Sequence, residues 1–506
     1  MKRTRTQKSF INVTVMGAYE MVVMICGLIT PRLILVTYGS AYNGMISSIT
    51  QFLSFITILR AGVAGASRVS LYKTLARDDV EGTSRIMKAT EKFLQKIAYI
   101  FLGYLVFLAI IYKNISGAEV SWIETSSLVI IIGLGTFAQY YFGLAYQTLV
   151  AADQKNYIYY LQQIIVTVLN TIIAVCLINA GASIHMVKLG SAVIFVASPI
   201  LLNIYVSKRY KLIKKCEPDN TALKQRKDVF GLAVANIAHD NTDIAMLTIF
   251  AGTKIVSIYA VYNLVISSLK KLLSVFTTGL EAAFGNMWAK KETEAIERNL
   301  GIFELLISCF VSIAFSCTIV LILPFVKLYT EGVTDINYIQ PMYALIAICA
   351  QAFYCMRMPY LTLVQAAGHY KETRNGSFVE AAINVTVSLI LVQKYSLVGV
   401  AIGTLLADIF RTVQYAKYCC DHLIEKNYWY VIKRMILTAF NIGVSVFFME
   451  FIAKNFIVLS WKDWVIEAME VGILACVVTL ITAGIFYRKD LQGVIAILTR
   501  TFKLKR

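Results

Sequence analysis

Four cations, Arg60, Lys270, Lys271 and Arg357, stand inside long apolar stretches of this 506-residue sequence. A charge at the centre of a membrane-crossing helix costs at least about 2.5 to 3.5 kcal/mol to insert, so such residues face a wet cavity or a partner. Together the four suit an anionic headgroup, above all a phosphate, because arginine offers a planar fork and lysine a mobile point charge. The other reading is internal: each cation neutralises an acid, with Arg60 meeting Glu281 as a gate. Arg68, near the end of its stretch, is expected to snorkel. Asp408 and Arg411 are three apart on one helix and are expected to pair with each other.

Acids share the same stretches. Glu20, Asp240 and Asp243, with His239 beside them, are placed to bind a coupling proton or sodium ion, since low dielectric raises a carboxylate's hold on a proton. The plainer reading of the run His239–Asp243 is a polar patch that holds one helix against its neighbours. Catalysis has little footing. There is no Gly-x-x-x-x-Gly-Lys-Ser/Thr loop, so ATP hydrolysis is not supported. The ten cysteines show no metal-ligand spacing with histidine. The sequence predicts no enzyme, no resident cofactor and no metal.

The elements that hold these residues are membrane helices. Apolar residues make up 58% of the chain, charged ones only 15%, against roughly 25% charged in a soluble domain. Mean hydropathy is +0.67. The pattern predicts an all-α membrane protein of about fourteen transmembrane helices. The first, at about 10–37, is too long for a signal peptide. Net charge is +18, but the distribution argues against nucleic acid. About 34 basic residues fall in one set of alternate loops and about 7 in the other, which predicts both termini in the cytoplasm. The cluster at 208–227 has a second reading, as a surface for anionic lipid. Pro31, Pro199, Pro324 and Pro359 fall in or near spans and are expected to bend them.

An internal repeat organises the spans. At an offset of 220 residues, Tyr42–Ser48 lies on Tyr262–Ser268, and Leu53, Ser54, Thr57 and Gly65 meet Leu273, Ser274, Thr277 and Gly285. Nine of these 24 aligned positions are identical, and at the same offset Glu20 falls on Asp240. Six spans separate the copies, so both enter the membrane in one orientation, related by a two-fold axis along the membrane normal. The expected division is a lobe at 1–206, a cytoplasmic basic linker at 207–227, a second six-helix lobe at 228–418, and two further spans with a basic tail at 419–506. Spans one, two, seven and eight would wall a cleft between the lobes.

Several segments carry a more specific likeness: Gly62–Lys73, Val256–Leu264, and Arg357–Tyr360 followed by Ala366–Lys371. With the six-plus-six repeat and two added helices, the chain resembles the multidrug/oligosaccharidyl-lipid/polysaccharide exporter superfamily. Within it, the segments are similar to bacterial polysaccharide-transport proteins, flippases for O-antigen, capsule or teichoic acid repeat units. The resemblance implies a rocker-switch carrier in the bacterial cytoplasmic membrane. Its substrate would be an undecaprenyl-pyrophosphate-linked oligosaccharide, and other polysaccharide-assembly proteins its partners. It also implies a cationic cavity, which agrees with Arg60, Lys270, Lys271 and Arg357. The drug-exporting branch favours an acid-lined one, so Glu20, Asp240 and Asp243 keep open a cation-coupled exporter of drugs or small amphiphiles.

Overall fold

The computed structural model describes residues 5–60, 63–117, 120–213, 215–219, 241–453, 458–488 and 490–494, and these contain helices and turns but no strand. The first helices are α1 (Arg5–Tyr38), α2 (Ser40–Ser54), α3 (Val63–Ala76), α4 (Val80–Ser116), α5 (Trp122–Ala138), α6 (Leu144–Ala152), α7 (Asn156–Asn179) and α8 (Ile184–Arg209). Residues 241–250 form α9. There follow α10 (Thr253–Ala289), α11 (Thr293–Tyr329), α12 (Pro341–Met356), α13 (Met358–Ala367), α14 (Tyr370–His422), α15 (Tyr428–Ala453) and α16 (Trp461–Phe486).

Local sequence sets the helix ends. Ser121 and Glu124 form a capping box at the start of α5, and Ser460 and Asp463 form one at α16, each closing two otherwise orphaned backbone donors. Asp79 caps α4 through the Gly82 amide, and Gly117 ends the same helix at φ 57°, where a side chain would be strained. Pro341 stands at the first turn of α12 and Pro359 at that of α13, where a missing amide costs nothing. Pro31, Pro199 and Pro324 lie within helices that continue through them.

Among the described residues eleven helices are long and apolar enough to cross a membrane, and a twelfth span arises if the pair Ser40–Arg60 and Gly65–Ala76, bent by 52°, counts as one. The helix α14 is two arms under one label. Its 53 residues are broken at Ser396 (φ 47°, ψ −121°). Contacts such as Arg411 to Thr373 and Ser388 to Val400 show the arms folded back on each other. Counting them separately gives thirteen of the expected spans. The remaining one, at 228–250, lies partly outside the described residues.

The chain divides into two compact units, Met1–Ala260 with Gly332–Ile336, and Val261–Glu331 with Asn337–Arg506. In the first, α2, α4, α5 and α6 enclose a core that includes Met45, Ile49, Phe101, Leu105, Leu128 and Leu149. A polar seam ties α2 to α9 and the start of α10. Asn43 donates to Ser257 Oγ at 2.7 Å, Ser48 and Thr248 share a hydroxyl bond of 2.7 Å, and Gln51 bonds Asn241. Gly44 sits in this seam because a Cβ there would collide with the Thr253 carbonyl. Asp335 accepts from the Ser40 amide at 3.0 Å and its hydroxyl at 2.6 Å, which brings 332–336 to the start of α2.

In the second unit α11 packs against α15 and α16 through Leu321, Met449, Val471 and Ala475. Outward faces are apolar: Phe447 is 68% and Phe451 74% exposed, which suits hydrocarbon and not water. Lipid removes the hydrophobic drive between helices, so close packing of small residues and buried polar bonds must hold them together. Gly399 and Gly403, four apart, do this in α14. A Cβ on Gly403 would stand 2.1 Å from Ser388 Oγ and 2.8 Å from its backbone nitrogen.

Candidate functional site

In the second unit the charged residues converge. The break between α12 and α13 falls at Arg357, which turns its side chain into the interior with 6% of its surface exposed. Its Nη1 lies 2.6 Å from Glu380 Oε1 and 3.3 Å from Asp408 Oδ1. Glu380 stands on the first arm of α14 and Asp408 on the second. The other oxygen of Glu380 meets Arg411 Nε at 3.3 Å. Arg411, 1% exposed, also donates to the Thr373 carbonyl at 3.0 Å, Ser377 Oγ at 2.6 Å, Tyr415 Oη at 2.5 Å, and Gln414. Two cations and two acids thus form a buried network with no formal net charge. Balance of this kind is what allows four ions to sit inside a membrane helix bundle.

The outer edge of this network is aromatic. Tyr354, one turn before Arg357 on α12, has the Arg357 guanidinium carbon 4.1 Å from its ring centroid and Lys270 Nζ 4.0 Å from it. Each such contact is worth about 0.5 to 2 kcal/mol. Lys270 comes from α10 and is half-buried; its neighbour Lys271 is exposed. Two of the four predicted cations therefore share one ring. Of the two roles that the sequence leaves open for Arg357, substrate contact or structural pair, the structure supplies the partners for the second. Asp408 and Arg411 are expected from the sequence to pair with each other; in the structure Asp408 instead meets Arg357, and Arg411 meets Glu380.

The first unit holds Arg60 and the acids. Arg60 ends a 3-10 segment, Phe55–Arg60, that interrupts the second span after α2. It is half-buried, and Tyr140 and Tyr159 lie within its electrostatic reach. Glu20, also half-buried, stands on α1 near Tyr19 and Tyr160. Asp243 is 8% exposed and accepts from Tyr259 Oη at 3.5 Å. Arg68 is exposed, as a snorkelling residue would be. Asp240 and His239 lie outside the described residues. In the second unit Glu281 is half-buried on α10, within electrostatic reach of Tyr370. Among the described residues no group of three or more His, Cys, Asp or Glu side chains is placed to hold a metal.

Three features escape sequence reasoning. Glu380 binds Arg357 and Arg411, and the signal for it is simply an acid inside the span at 372–393. Glu304 is the second: 5% exposed on α11, it holds Arg434 Nη1 at 2.7 Å, and Asp490 bonds the same guanidinium. The third is a cavity of about 410 Å³ in the first unit, bordered by α1, α2 and α5 to α8. Tyr19, Gln139, Gln147, Gln162, Asn170 and Lys188 are among its lining residues. A single wide π turn, Gln139–Gly143, separates α5 from α6 and presents Gln139 and Gly143 to this space. Such turns recur at functional positions.

No protein-family model matches the sequence, and no curated protein matches it. Solved structures do match in fold. The lipid II flippase MurJ in an inward closed conformation aligns at a TM-score of 0.70 with 16% identity, over 94% of this chain and 99% of that one. An inward-facing multidrug resistance MATE family transporter of the MOP superfamily aligns at 0.59 with 12% identity, over 84% and 99%. The Vibrio cholerae MATE transporter VcmN aligns at 0.59 with 14% identity, over 84% and 100%. The chain shares the all-α fold of these solved structures, with many helices long and apolar enough to cross a membrane.

Proposed function

We propose that the protein is a flippase that carries a lipid-linked oligosaccharide, a capsule, O-antigen or teichoic acid repeat unit on an undecaprenyl-pyrophosphate carrier. It would move this substrate from the inner to the outer leaflet of the bacterial cytoplasmic membrane by alternating access, with both termini cytoplasmic. The observation that carries the reading is the cationic pair at Tyr354. Lys270 and Arg357 lie within about 4 Å of one ring on membrane-spanning helices; with Arg357 neutralised by Glu380 and Asp408, the Lys270 ammonium is the one of the two to meet an anion. Arg60, in the first unit, remains a candidate cation from the sequence. The fold likeness to a lipid II flippase, which covers more of this chain than the MATE structures do, supports the same side.

In this reading Arg60, Lys270 and Lys271 contact the pyrophosphate. Arg357, already bound to Glu380 and Asp408, fixes Tyr354 and so positions Lys270. The polyprenyl tail stays in lipid while the head crosses. An inside-negative potential favours outward passage of the anion by about 2.3 kcal/mol per charge per 100 mV, and Glu20 and Asp243 are candidates to add proton or sodium coupling. Those two acids support the second reading, a cation-coupled exporter of small amphiphiles. The two separate in vesicles holding only the purified protein and a labelled lipid-linked oligosaccharide. A flippase equilibrates the label across the bilayer, and the double variant Arg60→Gln with Lys270→Gln stops it. Undiminished movement by that variant would refute the cationic site.

A further inference from the structure

The cavity of the first unit contains a charge that nothing in its surroundings answers. Lys188 lines it from the second turn of α8, and among the described residues it has no hydrogen bond, ion pair or ring contact. Among the described residues the rest of the lining is neutral: no other charged side chain borders the cavity, while Gln139, Gln147, Gln162, Gln163 and Asn170 all do. A lone ammonium within a membrane protein is a liability unless an anion arrives to meet it. Asn170 Oδ1 adds a second unmet demand, since it is buried without a hydrogen-bond partner.

We propose that this cavity binds a sugar residue bearing a carboxylate, with Lys188 as its counter-charge. The inference rests on the flippase reading and names a substrate class for it: repeat units that contain an acidic sugar. The lining chooses the carboxylate over a phosphate. Phosphate is met by arginine forks or several cations, whereas here one point charge stands among amides. Each amide offers both a donor and an acceptor, the complement of neighbouring hydroxyls on a sugar ring. Tyr19 and Tyr159 border the same space and give that ring an apolar face to rest on. The volume, about 410 Å³, lies within the 300 to 1,000 Å³ typical of small-molecule sites.

The test is a ligand-observed NMR titration of the full-length protein in nanodiscs with methyl glucuronide, methyl glucoside and inorganic phosphate. Wild type should bind the glucuronide at least tenfold more tightly than the glucoside. Lys188→Gln should erase that preference, Lys188→Arg should keep part of it, and Asn170→Leu should weaken both sugars together. Thermal melting checks that each variant is folded. The proposal is overturned if folded Lys188→Gln keeps the preference, if phosphate displaces the glucuronide at equal concentration, or if wild type binds neither sugar. Wild type that flips lipid-linked sugar without this preference also removes the acidic-sugar site while leaving the flippase. Selective binding by a protein that moves no lipid-linked sugar leaves the site and removes the flippase.

Discussion

Arg357 and Glu380, 23 residues apart and on different helices, meet at 2.6 Å with 6% and 4% of their surfaces exposed. Glu380 is the hub, because its second oxygen serves Arg411. Removing one partner of a buried pair strands the other's charge at a cost of about 3 to 5 kcal/mol. Glu380→Ala takes from Arg411 its only acid among the described residues and leaves two arginines against the single carboxylate of Asp408. The expected result is a fall of many degrees in the thermal midpoint in detergent, or failure to accumulate in the membrane. Arg357→Lys, which keeps the charge but loses the fork, should cost less. A Glu380→Ala protein as stable as wild type would show that the network does not hold the second unit together.

The contact of Lys270 with Tyr354 predicts a division of labour. Lys270→Gln should slow movement of a lipid-linked oligosaccharide at least tenfold with little change in melting, since the ammonium is half-buried. Tyr354→Leu leaves the charge but frees its position, so it should slow transport less. In a double-mutant cycle the two effects should fall short of additive, by an interaction of about 0.5 to 2 kcal/mol. Strict additivity in initial flipping rates would mean that the ring does not position the lysine.

The sharp reversal of α14 concentrates strain and packing in a few residues. Ser396 adopts φ 47°, a region that costs a side-chain-bearing residue about 1 to 3 kcal/mol. Ser396→Gly should therefore raise stability by up to about that amount. Gly403→Val should do the reverse, because its side chain must enter the space held by Ser388 Oγ and the Ser388 backbone. Melting in detergent with both variants measures the two signs, and a neutral Gly403→Val would remove the small-residue account of how these arms pack.

The fold class was written in the sequence because lipid imposes it. Fourteen apolar stretches admit helices and little else, and the repeat at Tyr42–Ser48 marks a real seam, where Asn43 and Ser48 bond to Ser257 and Thr248. The repeat does not carry its contacts across. Tyr262 donates to the Tyr338 carbonyl at 2.9 Å, and Ser268 bonds back to Leu264 in its own helix. The site was legible as a set of residue types and not as partners. That Arg357 is charged and embedded follows from its neighbours in sequence. That Glu380 and Asp408 neutralise it depends on how α14 folds back, which no local spacing encodes. Lys188 is the opposite case. By position it belongs with the cations near the outer ends of helices, and only the packing of α5, α7 and α8 encloses it.

Outside the spans, Tyr210 follows α8 and donates to Asp153 Oδ2 at 2.6 Å, while Lys155 Nζ approaches the same oxygen at 2.5 Å. Burial, and then the Asp153 carboxylate, push the Tyr210 hydroxyl well above its ordinary range, because only the protonated phenol can donate. A group whose folded value is raised contributes stability that is complete below its unfolded value near 10 and declines as pH rises toward the folded one. Tyr210→Phe should therefore lower stability by about 1 kcal/mol, discounted for partial exposure. The deficit should be constant between pH 6 and 9. Above about pH 10 the wild type should lose its advantage and the two melting curves converge. Melting both proteins across that range decides the matter: a gap that widens above pH 10 would mean that the hydroxyl is not the donor.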